Sequence, residues 1–375
     1  MTFKIFCDQN YLPEGMNYEA ILYPFWGKPP ENPEDPICGC FDHYVDIGKY
    51  LFKMSSLEEA DFAIVPVNWA LWNSELEHKA RQLAEKVKLA GKPLISFFGG
   101  ACSHLKLPIE SDFVFRHSLY RSLRKNTDFT LPHWSEDFVE NYLDNKINIR
   151  QKRLKPVVGF CGYAVKQNPK THLKFLWSRV KKNVLNSKAS IPPYNWGHVL
   201  RLRALDILAK DPNIITNFLI RERLVFFNQP DFKLKQKHRL EFVHNLIDSD
   251  YIFCCRGSGN NSFRFYEALC CGRIPVLVDT DCVLPYDFDI DWKKYCVWIN
   301  ENELHLIGDK IAEFHDNLSS QEFVDLQYEC RRIWKERVSP EGFFSNFHRH
   351  LPIAKGTGNR EQGTVAKISE EFLVL

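Results

Sequence analysis

Arginine, glycine, serine and asparagine crowd into the stretch RGSGNNSFRFYE, residues 256–267, in an order that suits a phosphorylated ligand. Gly257 and Gly259 let backbone N–H groups come close to a ligand, and Ser258, Asn261 and Ser262 add side-chain hydrogen bonds. The apolar run that follows starts a helix, whose first N–H groups direct positive partial charge at the same loop. Arg264 stands in the first turn of that helix, where a cation opposes the helix dipole at a cost of about 0.3–1 kcal/mol. A bound diphosphate reverses that sign. Glu267 lies one turn further along the same face, where a carboxylate can accept two ribose hydroxyls. The same residues would also suit an ordinary glycine turn beside a surface Arg264–Glu267 pair, because GxG alone is a weak signal. Asp279-Thr280-Asp281 has the DxD form that holds a divalent cation against a diphosphate, and equally the form of turn-making aspartates after a strand.

The elements that must position these residues are legible from apolar patterning. Ile252–Cys255 reads as a buried strand, Phe263–Cys271 as a helix stopped by Gly272, and Ile274–Val278 as a second buried strand. Strand, loop, helix and strand in that order form a βαβ unit, with the loop at the carboxyl edge of a parallel sheet, where ligands bind. Phe3–Cys7, ending at Asp8-Gln9-Asn10, Phe62–Val65, Pro93–Phe98, Val157–Cys161 and Tyr295–Ile299 are further strands. Ser74–Leu89, Lys170–Val184, Val199–Lys210 and Lys233–Ser249 have helical spacing. In the third of these helices Arg201 falls off the apolar stripe, free to face solvent or a ligand. The alternation predicts an α/β fold with doubly wound parallel sheets.

A chain of 375 residues is long for one core. A polar, basic passage over 141–156, closed by Pro156, reads as a hinge. The expected division is a first domain over 1–150, a second over 151–340, and a partly mobile C-terminal segment over 341–375, weakly patterned from Leu351 on. Residues 24–40 hold five prolines and read as an exposed loop. Residues 113–134 interleave His117 and His133 with arginines and aromatics, which suits a polyhydroxylated acceptor better than nucleic acid.

A formal charge of +2 gives no general attraction to polyanions or membranes. The N-terminus lacks the apolar run of a signal peptide, and no stretch reaches roughly 18 apolar residues, so a cytoplasmic location without a transmembrane segment is expected. The twelve cysteines lie mostly within predicted strands and helices and read as buried free thiols.

The run RGSGNNSFRFYEAL, then GRIPVLVDTD and LPYD at Leu284–Asp287, resembles the signature of exostosin-type glycosyltransferases, particularly bacterial members. Glu59-Ala60-Asp61 with Ile64-Val65-Pro66, and Val157-Val158-Gly159-Phe160 with Arg201, resemble further segments of that family. The resemblance implies a GT-B architecture, two Rossmann-like domains facing a cleft, with sugar transferred from a nucleotide sugar to a glycan or lipid-linked glycan. A UDP-sugar is favoured, and a lipid-linked acceptor adds peripheral attachment at the inner face of the membrane. It implies that Arg256 and Arg264 act on the leaving diphosphate, that Arg201, Gly257, Ser258, Gly259, Asn261, Ser262, Glu267 and Asp281 hold the donor, and that no metal or other cofactor is needed. If transfer inverts the anomeric centre, the first domain must supply a base, for which Asp8, His117 and His133 are all available. A binding module that has lost catalysis is the alternative.

Overall fold

The computed structural model describes residues 2–33, 38–164, 196–222 and 231–351, and all statements of structure below refer to these. Six strands lie in the first part of the chain: β1 (Phe3–Phe6), β2 (Phe52–Met54), β3 (Phe62–Ile64), β4 (Leu94–Phe98), β5 (Phe113–Arg116) and β6 (Asp128–Thr130). Five follow: β7 (Val157–Tyr163), β8 (Ile215–Arg221), β9 (Tyr251–Cys254), β10 (Ile274–Asp279) and β11 (Val297–Asn300). They form two separate sheets of order β2-β1-β3-β4-β5-β6 and β11-β10-β9-β7-β8. Every ladder pair is parallel. The expected α/β architecture with two Rossmann-like units is borne out. In each sheet the strand order reverses beside the first strand, between β1 and β3 and between β7 and β9. Parallel sheets open a ligand crevice at the carboxyl edge at such a reversal.

Each sheet is buried on both faces, which is why its central strands read as continuous apolar runs. Leu76, Ala80, Leu83 and Val87 of the helix Ser74–Leu89 cover one face of the first sheet, and Asn73 caps that helix by accepting from the Leu76 N–H at 2.7 Å. Phe343, Phe344 and Phe347 pack into the other face, with the ring of Phe344 stacked on Tyr44 at 4.1 Å. The described part of the segment after 340 is the helix Pro340–Ser345 and a following turn, returned to the first sheet by three phenylalanines. The predicted helix over 170–184 lies outside the described residues.

Four strands were not anticipated. β2 and β6 are only three residues long. β8 is an edge strand with four of its seven residues exposed, so it lacks the apolar period. β5 lies in the stretch read as acceptor-facing, yet Phe115 is wholly buried and Arg116 is a core residue paired with Asp128. All twelve cysteines are free and nine of them are buried, as expected. No helix among the described residues is long and apolar enough to cross a membrane.

His350 is a local misfit in the first core. It is buried against Tyr286, Phe115 and Phe129, at ring distances of 4.6, 5.1 and 5.2 Å, and neither ring nitrogen makes a well-formed hydrogen bond. Burial pushes its pKa down to about 3, partly offset by the nearby Phe347 backbone. His350→Phe is expected to raise unfolding stability by about 1–3 kcal/mol, the cost of an unmet buried polar group. The unfolded chain takes up a proton near pH 6.5 that folded His350 refuses, so the wild type loses stability as pH falls from about 6.5 toward 3. Urea denaturation at pH 7 and pH 5 should show the variant's advantage growing with acidity.

Candidate functional site

Three arginines meet at the carboxyl edge of the second sheet, beside the reversal between β7 and β9. Arg264, in the first turn of the helix Phe263–Cys270, donates twice to the Cys161 carbonyl, at 3.2 and 2.8 Å, and lies 4.6 Å over the Phe160 ring. A β-carbon on Gly162 would collide with its guanidinium, so the glycine at the end of β7 makes room for it. Arg256 follows β9. Its guanidinium donates to Asn260 Oδ1 at 3.3 Å and to the Ser258 carbonyl at 3.1 Å. Arg201, from the helix Trp196–Lys210, donates to the Tyr163 carbonyl at 2.8 Å and the Arg256 carbonyl at 3.4 Å.

Of the two expectations for Arg201, facing solvent or facing a ligand, the first is corrected here, since only 7% of the residue is exposed. The helix packs on two sides and leaves no solvent face at that position. Burial, and then the neighbouring Arg264, push its pKa down to about 10.

None of the three guanidinium groups has an ion-pair partner among the described residues, and their bonds run to neutral carbonyl and amide oxygens. The Nε atoms of Arg201 and Arg256 are buried with no hydrogen-bond partner. Cations collected this way repel one another and keep desolvation penalties that only an anion offsets well. A helix start adds to the field, since Ser262 holds the N-cap position of Phe263–Cys270 without bonding the helix N–H groups. Gly197 lets the helix Trp196–Lys210 come close to the Arg256 and Gly257 carbonyls. Gly257 has open space around its α-carbon. Glu267 sits behind Arg264, 3.9 Å from Arg239, and burial raises its pKa against the pull of both arginines.

Other loop residues turn away from this centre and join the two units. A β-carbon on Gly259, a residue expected at the donor, would stand 2.9 Å from Ala101 Cα, so this glycine permits close approach of the first unit. Asn261, also expected at the donor, donates to the His117 carbonyl at 2.8 Å and contacts His133 Nε2. Asp281, the last such residue, has φ +67° and accepts from the Ser122 hydroxyl at 2.5 Å. Asp279 accepts from Cys282 N–H at 2.9 Å and Trp298 Nε1 at 3.1 Å, and pairs with Arg121 at 3.3 Å. The DTD aspartates therefore act as a turn and a clasp between units. The clasp is extended by a bridge between Tyr120 and Cys282 and an Arg124–Asp287 ion pair at 2.6 Å.

Asn260 was missed by the sequence reading. It is 1% exposed, takes the Ser118 hydroxyl on its N–H at 2.7 Å, donates to the Leu119 and Asp281 carbonyls, and accepts from Arg256 and from Thr280 Oγ1 at 2.6 Å. Every polar residue of GSGNNS suits a ligand equally well in sequence. Nothing local singled out the one that faces inward.

The first unit presents its own carboxyl edge to this loop. Asp8, after β1, caps a short turn by accepting from Asn10 N–H at 2.9 Å. His117, after β5, accepts from Gly100 N–H on Nδ1 at 3.2 Å, and burial lowers its pKa to about 4 despite the nearby Pro132 backbone. His133 stacks between His117 and Phe263 at 4.1 and 3.9 Å, and burial holds its pKa well below the usual histidine range. The structure thus brings His117 and His133 together and leaves Asp8 in a capping role.

Comparisons with known proteins agree with the resemblance read from the motif. No family model matches the chain. It is 30% identical to Exostosin-1 of Drosophila melanogaster over 108 residues, covering 29% of this chain and 14% of that protein. It is 29% identical over 79 residues to the probable glucuronosyltransferase GUT1 of rice, Oryza sativa subsp. japonica, covering 21% of this chain and 19% of that one. The chain therefore spans a fifth or less of the length of these curated relatives. Among solved structures, S. aureus TarM in complex with fondaparinux, alpha-GlcNAc-glycerol and UDP aligns over 71% of this chain and 53% of its own, with 12% identity and a TM-score of 0.33. A glycosyltransferase from Rickettsia africae aligns over 85% and 89%, with 11% identity and a TM-score of 0.32. At such scores the overlap adds nothing to the sheet topology.

Proposed function

We propose that this chain is a glycosyltransferase that moves a sugar from a nucleoside-diphosphate sugar to a hydroxyl acceptor. The observation that supports it is the Arg201–Arg256–Arg264 cluster, whose bonds run to neutral oxygens with no ion pair among the described residues, and two of whose Nε groups are buried without partners. A diphosphate placed there meets three cations, the Ser262 hydroxyl, the open Gly257–Ser258 backbone and the start of the Phe263–Cys270 helix. Negative charge builds on that diphosphate as the sugar–oxygen bond breaks, so these groups bind the transition state more strongly than the donor. Glu267 then takes the ribose hydroxyls, and the acceptor approaches from the carboxyl edge of the first sheet. The similarity to Exostosin-1 and to a probable glucuronosyltransferase supports the reaction class.

UDP-sugars are the favoured donors, and a glycan or lipid-linked glycan is the favoured acceptor. A lipid-linked acceptor goes with a cytoplasmic chain attached peripherally to the inner face of the membrane, which sedimentation with vesicles would test. The decisive experiment is thermal denaturation with UDP, GDP and UDP-sugars. A nucleotide at about 100 times its Kd adds roughly 2.7 kcal/mol of stability, and no shift with any nucleotide would remove the proposal.

Transfer is expected to survive chelation. The cluster already neutralises a diphosphate, and both DTD carboxylates are engaged with Ser122, Arg121, Trp298 and Cys282. A divalent cation would have to break those bonds in a field of three guanidinium groups. Turnover measured with and without EDTA should agree within twofold; a complete loss restored by manganese would contradict this.

A further inference from the structure

An inverting transfer needs a base on the first unit, and each of the three sequence candidates already has a fold contact, with Nε2 of His117 buried and unpartnered. Asp8 accepts from Asn10 N–H. His117 accepts from Gly100 N–H on Nδ1, which fixes its proton on Nε2 and makes that nitrogen a donor. His133 meets the Asn261 amide through Nε2 and is enclosed by His117 and Phe263.

Resting on the proposed transferase reading, we propose that Glu19 is the general base that takes the acceptor's proton. Glu19 precedes the turn Ala20–Leu22, and its N–H donates to the Pro66 carbonyl at 2.8 Å, just beyond β3. That places it at the carboxyl edge beside the β1–β3 reversal, where the first sheet opens its crevice. It is 8% exposed and its Oε1 has no hydrogen-bond partner. Asn68 holds the carboxylate from one side. Asn68 Oδ1 is occupied by the Ala70 and Gly99 N–H groups at 2.9 and 2.7 Å, so only its amide N–H groups remain to meet Glu19. Gly99 follows β4 and His117 follows β5 on the same edge, and the Gly259–Asn261 loop docks there against Ala101, Ser118 and His117. Through Asn68 and Gly99, Glu19 is thus linked to the edge on which the Gly259–Asn261 loop docks, and that loop lies between Arg256 and Arg264 in the chain.

The step balances as follows. The acceptor oxygen attacks the anomeric carbon from the face opposite the diphosphate, and a new carbon–oxygen bond forms. The bond between that carbon and the phosphate oxygen breaks, and its electron pair leaves with the nucleoside diphosphate on the arginines. The acceptor proton passes to Glu19, giving the inverted glycoside, the nucleoside diphosphate and a protonated carboxyl group. Burial raises the Glu19 pKa to about 8, with Asn68 and the Ala20 backbone opposing, which brings its basicity near the range where proton transfer is effective. Tyr23 is the titratable neighbour that feels its charge.

The test is Glu19→Gln, which keeps shape and removes basicity. UDP-glucose, UDP-N-acetylglucosamine and UDP-glucuronate are offered with p-nitrophenyl glycosides or water as acceptors, and UDP release is followed. The expected result is a kcat lower by about 10²–10⁴-fold with UDP affinity unchanged by calorimetry. The wild-type rate should rise with pH through about 8, the variant should lose that limb, and NMR should show an inverted product. Asn68→Asp keeps the Gly99 and Ala70 bonds but sets a carboxylate against Glu19, and should move the limb to higher pH. This second variant decides the matter if Glu19→Gln does not fold. Turnover by Glu19→Gln within threefold of wild type, an unmoved limb in Asn68→Asp, a retained configuration or absence of any donor turnover would each overturn the role of Glu19. Failure of the wild type to bind UDP or any other nucleotide would instead remove the donor-site reading beneath it.

Discussion

Arg264→Ala should lower kcat by about 10²–10³-fold, roughly 2.7–4 kcal/mol of transition-state stabilisation, while leaving the folded state nearly as stable as before. The asymmetry follows from what Arg264 touches. Its fold contacts are two donations to the single Cys161 carbonyl and the Phe160 face. Its charge opposes the dipole of its own helix and repels Arg201, so removing it relieves the protein as much as it costs. Only a ligand carrying negative charge gains from this placement. Arg264→Lys keeps the charge and loses the planar fork, and should fall between the two. Steady-state kinetics with a UDP-sugar beside urea denaturation measures both quantities. A variant that turned over donor normally, or one that lost stability as steeply as activity, would contradict the assignment.

Asp128→Ala is the second large effect, and it falls on stability. Arg116 and Asp128 form a pair at 2.7 Å with side-chain exposures of 6% and 4%, between the neighbouring strands β5 and β6. Removing one partner of a buried pair leaves the other charge uncompensated, at a cost of about 3–5 kcal/mol. Against a typical total of about 5–15 kcal/mol, that is a third or more of what holds a domain folded. The damage should reach the site. Arg116 also holds the Ser103 and Leu105 carbonyls, Ser103 Oγ accepts from Ser118 N–H, and Ser118 Oγ accepts from Asn260 N–H. Nucleotide affinity should therefore weaken even at temperatures where the variant stays folded. Guanidinium denaturation checks the first part and calorimetry with UDP the second; a loss under 1 kcal/mol would show that Arg116 finds other compensation.

The base should respond to pH in the sense opposite to the buried histidines. Folded Glu19 keeps its proton until about pH 8 while the unfolded chain releases it near 4.5. Its contribution to stability is present below about 4.5 and is lost as pH rises through 8. His117 and His350, with pKa values pushed down to about 4 and about 3, withdraw stability as pH falls below about 6.5. The two trends cross near neutrality, so a stability profile is read best as a difference between Glu19→Gln and wild type.

Local signals determined a large part of this molecule. The helix Ser74–Leu89 has the predicted ends because Asn73 caps it and Gly91, at φ +63°, follows it, and both signals lie within the segment. The strands β3, β4, β9 and β10 are almost wholly buried, so their apolar runs could belong only to a sheet covered on both faces. The strand–loop–helix frame that carries Arg256, Gly257, Ser262 and Arg264 was legible for the same reason, since a loop and the helix after it fix one another within a few residues. Tertiary structure alone decided which of the neighbouring loop residues join the two units. Gly259, Asn260, Asn261, Asp279 and Asp281 have the residue types expected of donor contacts, but they take partners between Ala101 and His133, in loops of the first unit more than a hundred positions away. Glu19 depends on the same long-range closure, because an isolated glutamate before an apolar turn has no local feature to mark it. Its burial and its position beside Pro66 and Asn68 exist only once β1 and β3 have paired.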